Sequence, residues 1–165
     1  MRIAVYFLTI FCTCASAQAA EAIDFDTEIV PLLSKAGCNA ASCHGSAAGQ
    51  AEFRLSLFGG DADFDYRSIV NEFEGRRIDH TSPADSLLLA KPTGVLEHGG
   101  GEVIDSNSET AQIIARWIEQ GATHRRFRAL DHIVVSPTSF ETNQVPAEFQ
   151  LEVVAHFDDH SERLV

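Results

Sequence analysis

Cys38-Asn39-Ala40-Ala41-Ser42-Cys43-His44 brings two thiols and an imidazole together within seven residues, more ligand chemistry than packing alone requires. In covalent haem attachment, two cysteines close in sequence bond the vinyl groups of one porphyrin. The histidine after the second cysteine then becomes an axial iron ligand. The usual spacing is C-x-x-C-H. Here four residues separate the thiols, so two more must loop away from the porphyrin, and Asn39, Ala40, Ala41 and Ser42 are small enough for that. Two other chemistries use such a pair: a local disulfide in an oxidising compartment, and a zinc site completed by histidines. A disulfide across so short a loop adds little by chain entropy and leaves His44 without a role. Zinc needs a second close pair of ligands, which the remaining histidines do not form. The motif therefore favours one covalent haem c per chain, with Cys38, Cys43 and His44 as cofactor-binding residues and His44 on the iron.

Upstream, Arg2 precedes the apolar run Ile3 to Phe11. Ala15-Ser16-Ala17 and Ala17-Gln18-Ala19 then offer the small-residue pattern of signal-peptide cleavage. The apolar stretch is short for a bilayer span, although a retained membrane anchor is the alternative. Residues 1–19 are accordingly expected to be a signal peptide, which makes the mature chain exported, periplasmic or cell-surface, with no membrane span. Cys12 and Cys14 leave with the signal. The full chain carries 12 Lys+Arg against 24 Asp+Glu, and cleavage removes one base more. So acidic a chain is not expected to bind nucleic acid. It would steer towards basic patches on a redox partner protein, or simply present a solvated surface.

At 165 residues, 45% hydrophobic and 22% charged, the chain has room for a real core. Phe25, Ile29, Leu32, Leu33 and Ala36 recur at helical spacing after a cap at Asp26 or Thr27, and Gly37 ends that helix at the cysteine motif. Pro31 falls near the first turn. Phe53 to Phe58 alternates like a strand or extended segment before the Gly59-Gly60-Asp61 turn. Phe64 to Phe73 reads as a second helix, with Tyr66, Ile69, Val70 and Phe73 on one face. Ser82-Pro83-Ala84-Asp85 marks the start of a short helix, Pro83 to Ala90. After a glycine-rich loop, Ser106-Asn107-Ser108-Glu109 caps a last helix striped by Ala111, Ile114, Trp117 and Ile118 and ending at Gly121. Arg54, Arg76 and Arg77 are candidates for haem propionates or are ordinary surface arginines. From about Leu130 the pattern changes: Ile133 to Pro137 and Glu148 to Phe157 read as strands, Asp158 to Ser161 as a turn, and Leu164-Val165 as the opening of a third strand.

This order of elements is that of a small class I-like cytochrome c. The span Phe25 to Ala122 also resembles the planctomycete-type cytochrome c-like domains of large exported proteins. The resemblance rests on Cys38-(x)4-Cys43-His44-Gly45, Phe53-Arg54-Leu55-Ser56-Leu57, Ser86-Leu87-Leu88-Leu89, Lys91-Pro92, His98-Gly99-Gly100-Gly101 and Trp117-Ile118-Glu119-Gln120-Gly121-Ala122. It implies a mainly α fold: a haem domain over residues 20–125 built around one covalent haem. The wide cysteine gap departs from the common pattern and leaves one or two thioethers open. Residues 130–165 resemble the beginning of a bacterial Ig-like domain of group 2, of which a full sandwich needs about seven strands.

Class I-like cytochromes usually draw the second iron ligand from a methionine before the terminal helix, but the only methionine is Met1. His98 occupies that loop and matches the family's His-Gly-Gly pattern, with glycines that let backbone approach a porphyrin. His80 is the runner-up, and His124 falls beyond the last helix. The expected metal ligands are therefore His44 and His98, and the expected role is electron transfer rather than catalysis. A structural or adhesive surface module with a Cys38–Cys43 disulfide is the alternative.

Overall fold

The computed structural model describes residues 22–143 and 148–165. The expected signal segment, with Met1, Cys12 and Cys14, lies outside the described residues. At the amino end Asp24 is 1% exposed and serves as the cap expected of Asp26 or Thr27. Its Oδ1 accepts the Thr27 N–H at 2.9 Å and its Oδ2 accepts the Phe127 N–H at 2.7 Å. A wide π turn, Phe25–Ile29, leads into helix α1 (Val30–Lys35). That arrangement sets Pro31 in the first turn of α1, where a missing N–H costs least.

The second expected helix is present but shifted and mixed in form, over residues 62–71 rather than Phe64 to Phe73. Helix α2 (Ala62–Tyr66) starts on Asp61, whose Oδ1 accepts the Phe64 N–H, and runs on as a π turn, Arg67–Asn71. A tight turn at Glu72–Gly75 follows, with Phe73 and Glu74 at positive φ. A 3₁₀ turn, Pro83–Asp85, precedes α3 (Leu87–Ala90), and Ser86, not Ser82, stands at the α3 amino end. The extended Ser86 backbone at ψ 133° interrupts what spacing alone reads as one helix. Helix α4 (Glu109–Glu119) follows its expected pattern. The Ser108 hydroxyl accepts the Ala111 N–H at 3.2 Å, and Ala111, Ile114, Trp117 and Ile118 are buried. Gly121 at φ +96° ends the helix.

These short pieces enclose one core. Phe25, Ile29, Ile69, Ile114, Trp117 and Ile118 are fully buried, and the Phe25 ring sits 5.3 Å from Trp117 and from Tyr66. The carboxy-terminal part forms an antiparallel meander, β1 (Leu130–Ser136), β2 (Glu152–Phe157) and β3 (Glu162–Leu164), in the order β1-β2-β3. β2 lies within the expected Glu148 to Phe157, β1 begins three residues before the expected Ile133, and β3 ends at Leu164, where a third strand was expected to open. Phe53 to Phe58, in contrast, contributes only an isolated bridge between Gln50 and Phe53. The sheet touches the helical layer through Arg163, which donates to the Thr27 carbonyl and lies 3.9 Å from Glu28. Arg128 covers the buried Phe157 ring at 4.2 Å.

The expectation of a mainly α fold is overturned. About 33% of the described residues are helical, in short pieces, and 13% are in β structure, so the described part is a mixture of helix and sheet. The physical cause is local: the extended Ser86 divides the helix expected over Pro83 to Ala90, the other helices are short, and the three-stranded sheet adds β structure beside them. Among the described residues no helix is long and apolar enough to cross a membrane.

Asp24 ties both ends of the helical layer, so Asp24→Ala should remove a helix cap and leave the Phe127 N–H without its acceptor. A loss of about 1–3 kcal/mol is expected, read as a lower denaturant midpoint with faster amide exchange at Phe127.

Candidate functional site

Helix α1 delivers the cysteine motif through a double hydrogen bond at its carboxyl end. The Cys38 N–H reaches the Leu33 carbonyl at 2.9 Å and the Gly37 N–H reaches the Ser34 carbonyl at 3.0 Å, with Gly37 at φ +79°. This is the glycine-ended Schellman arrangement. The loop then closes on itself, because the His44 N–H donates to the Cys38 carbonyl at 3.0 Å and the Cys43 N–H to that of Ala40 at 2.9 Å. Gly45 packs so tightly that a Cβ there would lie 1.9 Å from the Asn39 carbonyl oxygen. Leu55 N–H to His44 O at 2.8 Å and Phe58 N–H to Asn39 O at 3.1 Å strap the following segment onto the loop. The four-residue gap is thus folded as a compact turn.

Cys38, Cys43, His44 and His98 all line one cavity of about 420 Å³, walled by Leu33, Leu55, Leu88, Pro92 and Val103. That lies within the roughly 300–1,000 Å³ of small-molecule and cofactor sites. Both cysteines are free thiols. Burial, with Cys43 adding, pushes the Cys38 thiol up to about 11, so Cys38 is no ready thiolate at neutral pH. Burial also holds His44 below the usual imidazole range, against the pull of its bond to Phe53. Neutral imidazole is the form that binds metal.

The two histidines are arranged alike. His44 Nδ1 is 3.0 Å from the Phe53 carbonyl oxygen, and His98 Nδ1 is 2.8 Å from that of Gly101. A carbonyl only accepts, so Nδ1 carries the proton in each ring and Nε2 keeps its lone pair. The ring centres are 6.1 Å apart and their planes differ by 14°. Two imidazoles ligating one metal from opposite sides, with bonds of about 2.0–2.1 Å, have ring centres about 6.2–6.4 Å apart. The observed separation is close to that. Among the described residues no three His, Cys, Asp or Glu side chains converge on a point that could hold a bare ion.

Comparison with protein-family models, curated proteins and solved structures finds no match.

His80 and His124 are elsewhere: His80 Nδ1 lies 3.2 Å from the Ile118 carbonyl, and His124 Nε2 lies 2.7 Å from Asp26. Of the three arginines, Arg54 lies over Phe64 and donates to the Ala47 carbonyl, outside the cavity lining. Arg76 and Arg77 both line the cavity, but only Arg76 is exposed. Within the His98 loop Gly100 is the tight position, where a Cβ would sit 3.1 Å from the His98 ring. Residue patterning did not single out the Phe53 carbonyl, the Gln50–Phe53 turn or the buried Asp65, which accepts from the Ser56 N–H and hydroxyl. The turn carries no sequence signal, since its central pair, Ala51 and Glu52, sits at φ 50° and 61°. That backbone costs a non-glycine residue about 1–2 kcal/mol.

The loop geometry makes a contrast between glycines. Gly45→Ala should destabilise the protein by at least about 1–3 kcal/mol, because backbone must move. Gly99→Ala, with open space around it, should stay within about 0.5 kcal/mol. Denaturant midpoints of the two variants check this.

Proposed function

We propose that this chain is an exported c-type cytochrome module that carries electrons, with one haem held by Cys38 and Cys43 and with His44 and His98 as axial ligands. The observation that carries the reading is the pair of near-parallel imidazoles, each with Nδ1 committed to a carbonyl, in one apolar cavity with two free thiols. The resemblance to planctomycete-type cytochrome c-like domains supports the same assignment. Bound haem would supply a one-electron couple. With His44 and His98 both holding the group, no position would stay open for oxygen or peroxide, which favours electron transfer over catalysis. Histidine in place of methionine sets a lower potential. Arg76, exposed at the cavity and stacked 4.8 Å from the Phe73 ring, is the arginine best placed to meet a propionate. The acidic surface suits a redox partner with basic patches, and the amino-terminal pattern suits export. The sheet fits the opening strands of an Ig-like segment.

A second reading, a structural contact module, draws on the apolar residues left exposed on the sheet, Leu130, Ile133 and Leu164 among them.

One extraction separates the readings. Protein matured in a haem-attaching host should keep its haem through acidified organic extraction, and the Cys38→Ser/Cys43→Ser variant should lose it. Haem extracted from the unaltered protein would overturn the attachment. His98→Ala should turn a low-spin spectrum high-spin, while His80→Ala leaves it unchanged. The reverse pattern would move the distal ligand to His80.

A further inference from the structure

The turn behind His44 is held by a residue far along the chain. Gln50 and Phe53 exchange both backbone hydrogen bonds, at 2.9 and 3.0 Å, around Ala51 and Glu52, which are both at positive φ. Two-residue turns of this form favour Asn-Gly, and Ala-Glu has no local means of holding one. Arg77 supplies the hold. Its side chain is 6% exposed, and Nη2 donates to the Glu52 carbonyl at the centre of the turn, at 2.9 Å. Nη1 donates to the Ser68 carbonyl at 2.7 Å and lies 3.5 Å from Glu72. The guanidinium carbon lies 4.6 Å from the centre of the Phe53 ring. The Phe53 ring is in turn 4.5 Å from that of His44, and the Phe53 carbonyl takes the His44 Nδ1–H. Arg77 thus grips both the turn and the residue that orients the imidazole.

We propose that Arg77 is a positioning residue for His44: by clamping the Ala51–Glu52 turn it keeps the Phe53 carbonyl on Nδ1 and fixes the tautomer whose Nε2 lone pair is free to bind metal. The purpose of that tautomer rests on the haem reading. Its existence does not. Arg77 reaches the two carbonyls from two different nitrogens of a rigid planar fork, whereas lysine carries all its donors on one nitrogen, so charge alone does not replace Arg77.

Nitrogen-15 NMR of the haem-free full chain near pH 8, above the ordinary imidazole pKa of about 6.5, reads the tautomer directly. The unaltered protein should show His44 almost wholly as Nδ1–H. Arg77→Met and Arg77→Lys should both shift it to a mixture in which Nε2–H is the larger share. Adding Ala51→Asn and Glu52→Gly to Arg77→Met should restore Nδ1–H, because that pair holds the turn without help, and should restore folding if Arg77→Met alone unfolds. An unchanged tautomer in folded Arg77→Met or Arg77→Lys overturns the proposal, as does failure of the turn substitutions to rescue. A chain that shows these shifts but never acquires haem leaves the inference standing and overturns the proposed function. Haem attachment with no tautomer shift does the opposite.

Discussion

The hydrogen bond from the His44 N–H to the Cys38 carbonyl, 3.0 Å long, is the constraint on which the site depends. It closes the cysteine loop into one turn, so that both thiols and the imidazole share a cavity wall although four residues separate the cysteines. Gly45 makes the closure possible, since its α-carbon lies against the Asn39 backbone where a side chain has no room. Gly37 makes it start in the right place, by ending α1 in a left-handed residue and turning Cys38 back onto the core.

The fold around this loop is a set of supports for it. Helix α1 is anchored through Leu33 and Val30 in the core. The segment after His44 is strapped down by Leu55 and Phe58 and held at its far side by the buried Asp65. Burying that carboxylate raises its pKa despite the bonds from Ser56. Burial is therefore the larger influence there, and the site tolerates it because the Ser56 N–H and hydroxyl both find an acceptor. Arg77 follows the same logic, as a buried cation with its N–H groups on backbone carbonyls and two aromatic rings beside it.

Long-period signals were legible in the residues, and short irregular ones were not. The α4 stripe with its Ser108 cap and β2 follow from spacing because each sets residues repeatedly against a buried face, and the Gly37 stop follows from the left-handed backbone a glycine permits. The mainly α reading failed where a single backbone angle outweighs periodicity. Ser86 is extended and divides the helix expected over Pro83 to Ala90, while Phe73 and Glu74 are left-handed and close the second helix at Asn71, two residues before its expected end. Cys38, Cys43, His44 and His98 could be picked out as candidates by residue type and position in the chain. Arg77 could not be separated from Arg54 and Arg76 in the same way. What distinguishes it is burial and a contact with Glu52, 25 residues away, and no local pattern encodes that.

The 14° angle between the His44 and His98 planes offers the most direct test of the account. Electron paramagnetic resonance of the oxidised, haem-matured protein at neutral pH senses both the number of axial imidazoles and the angle between them. A rhombic low-spin ferric signal, characteristic of two near-parallel imidazoles on one iron, is expected. A high-spin ferric signal, or a chain that emerges from a haem-attaching host without haem, would contradict it.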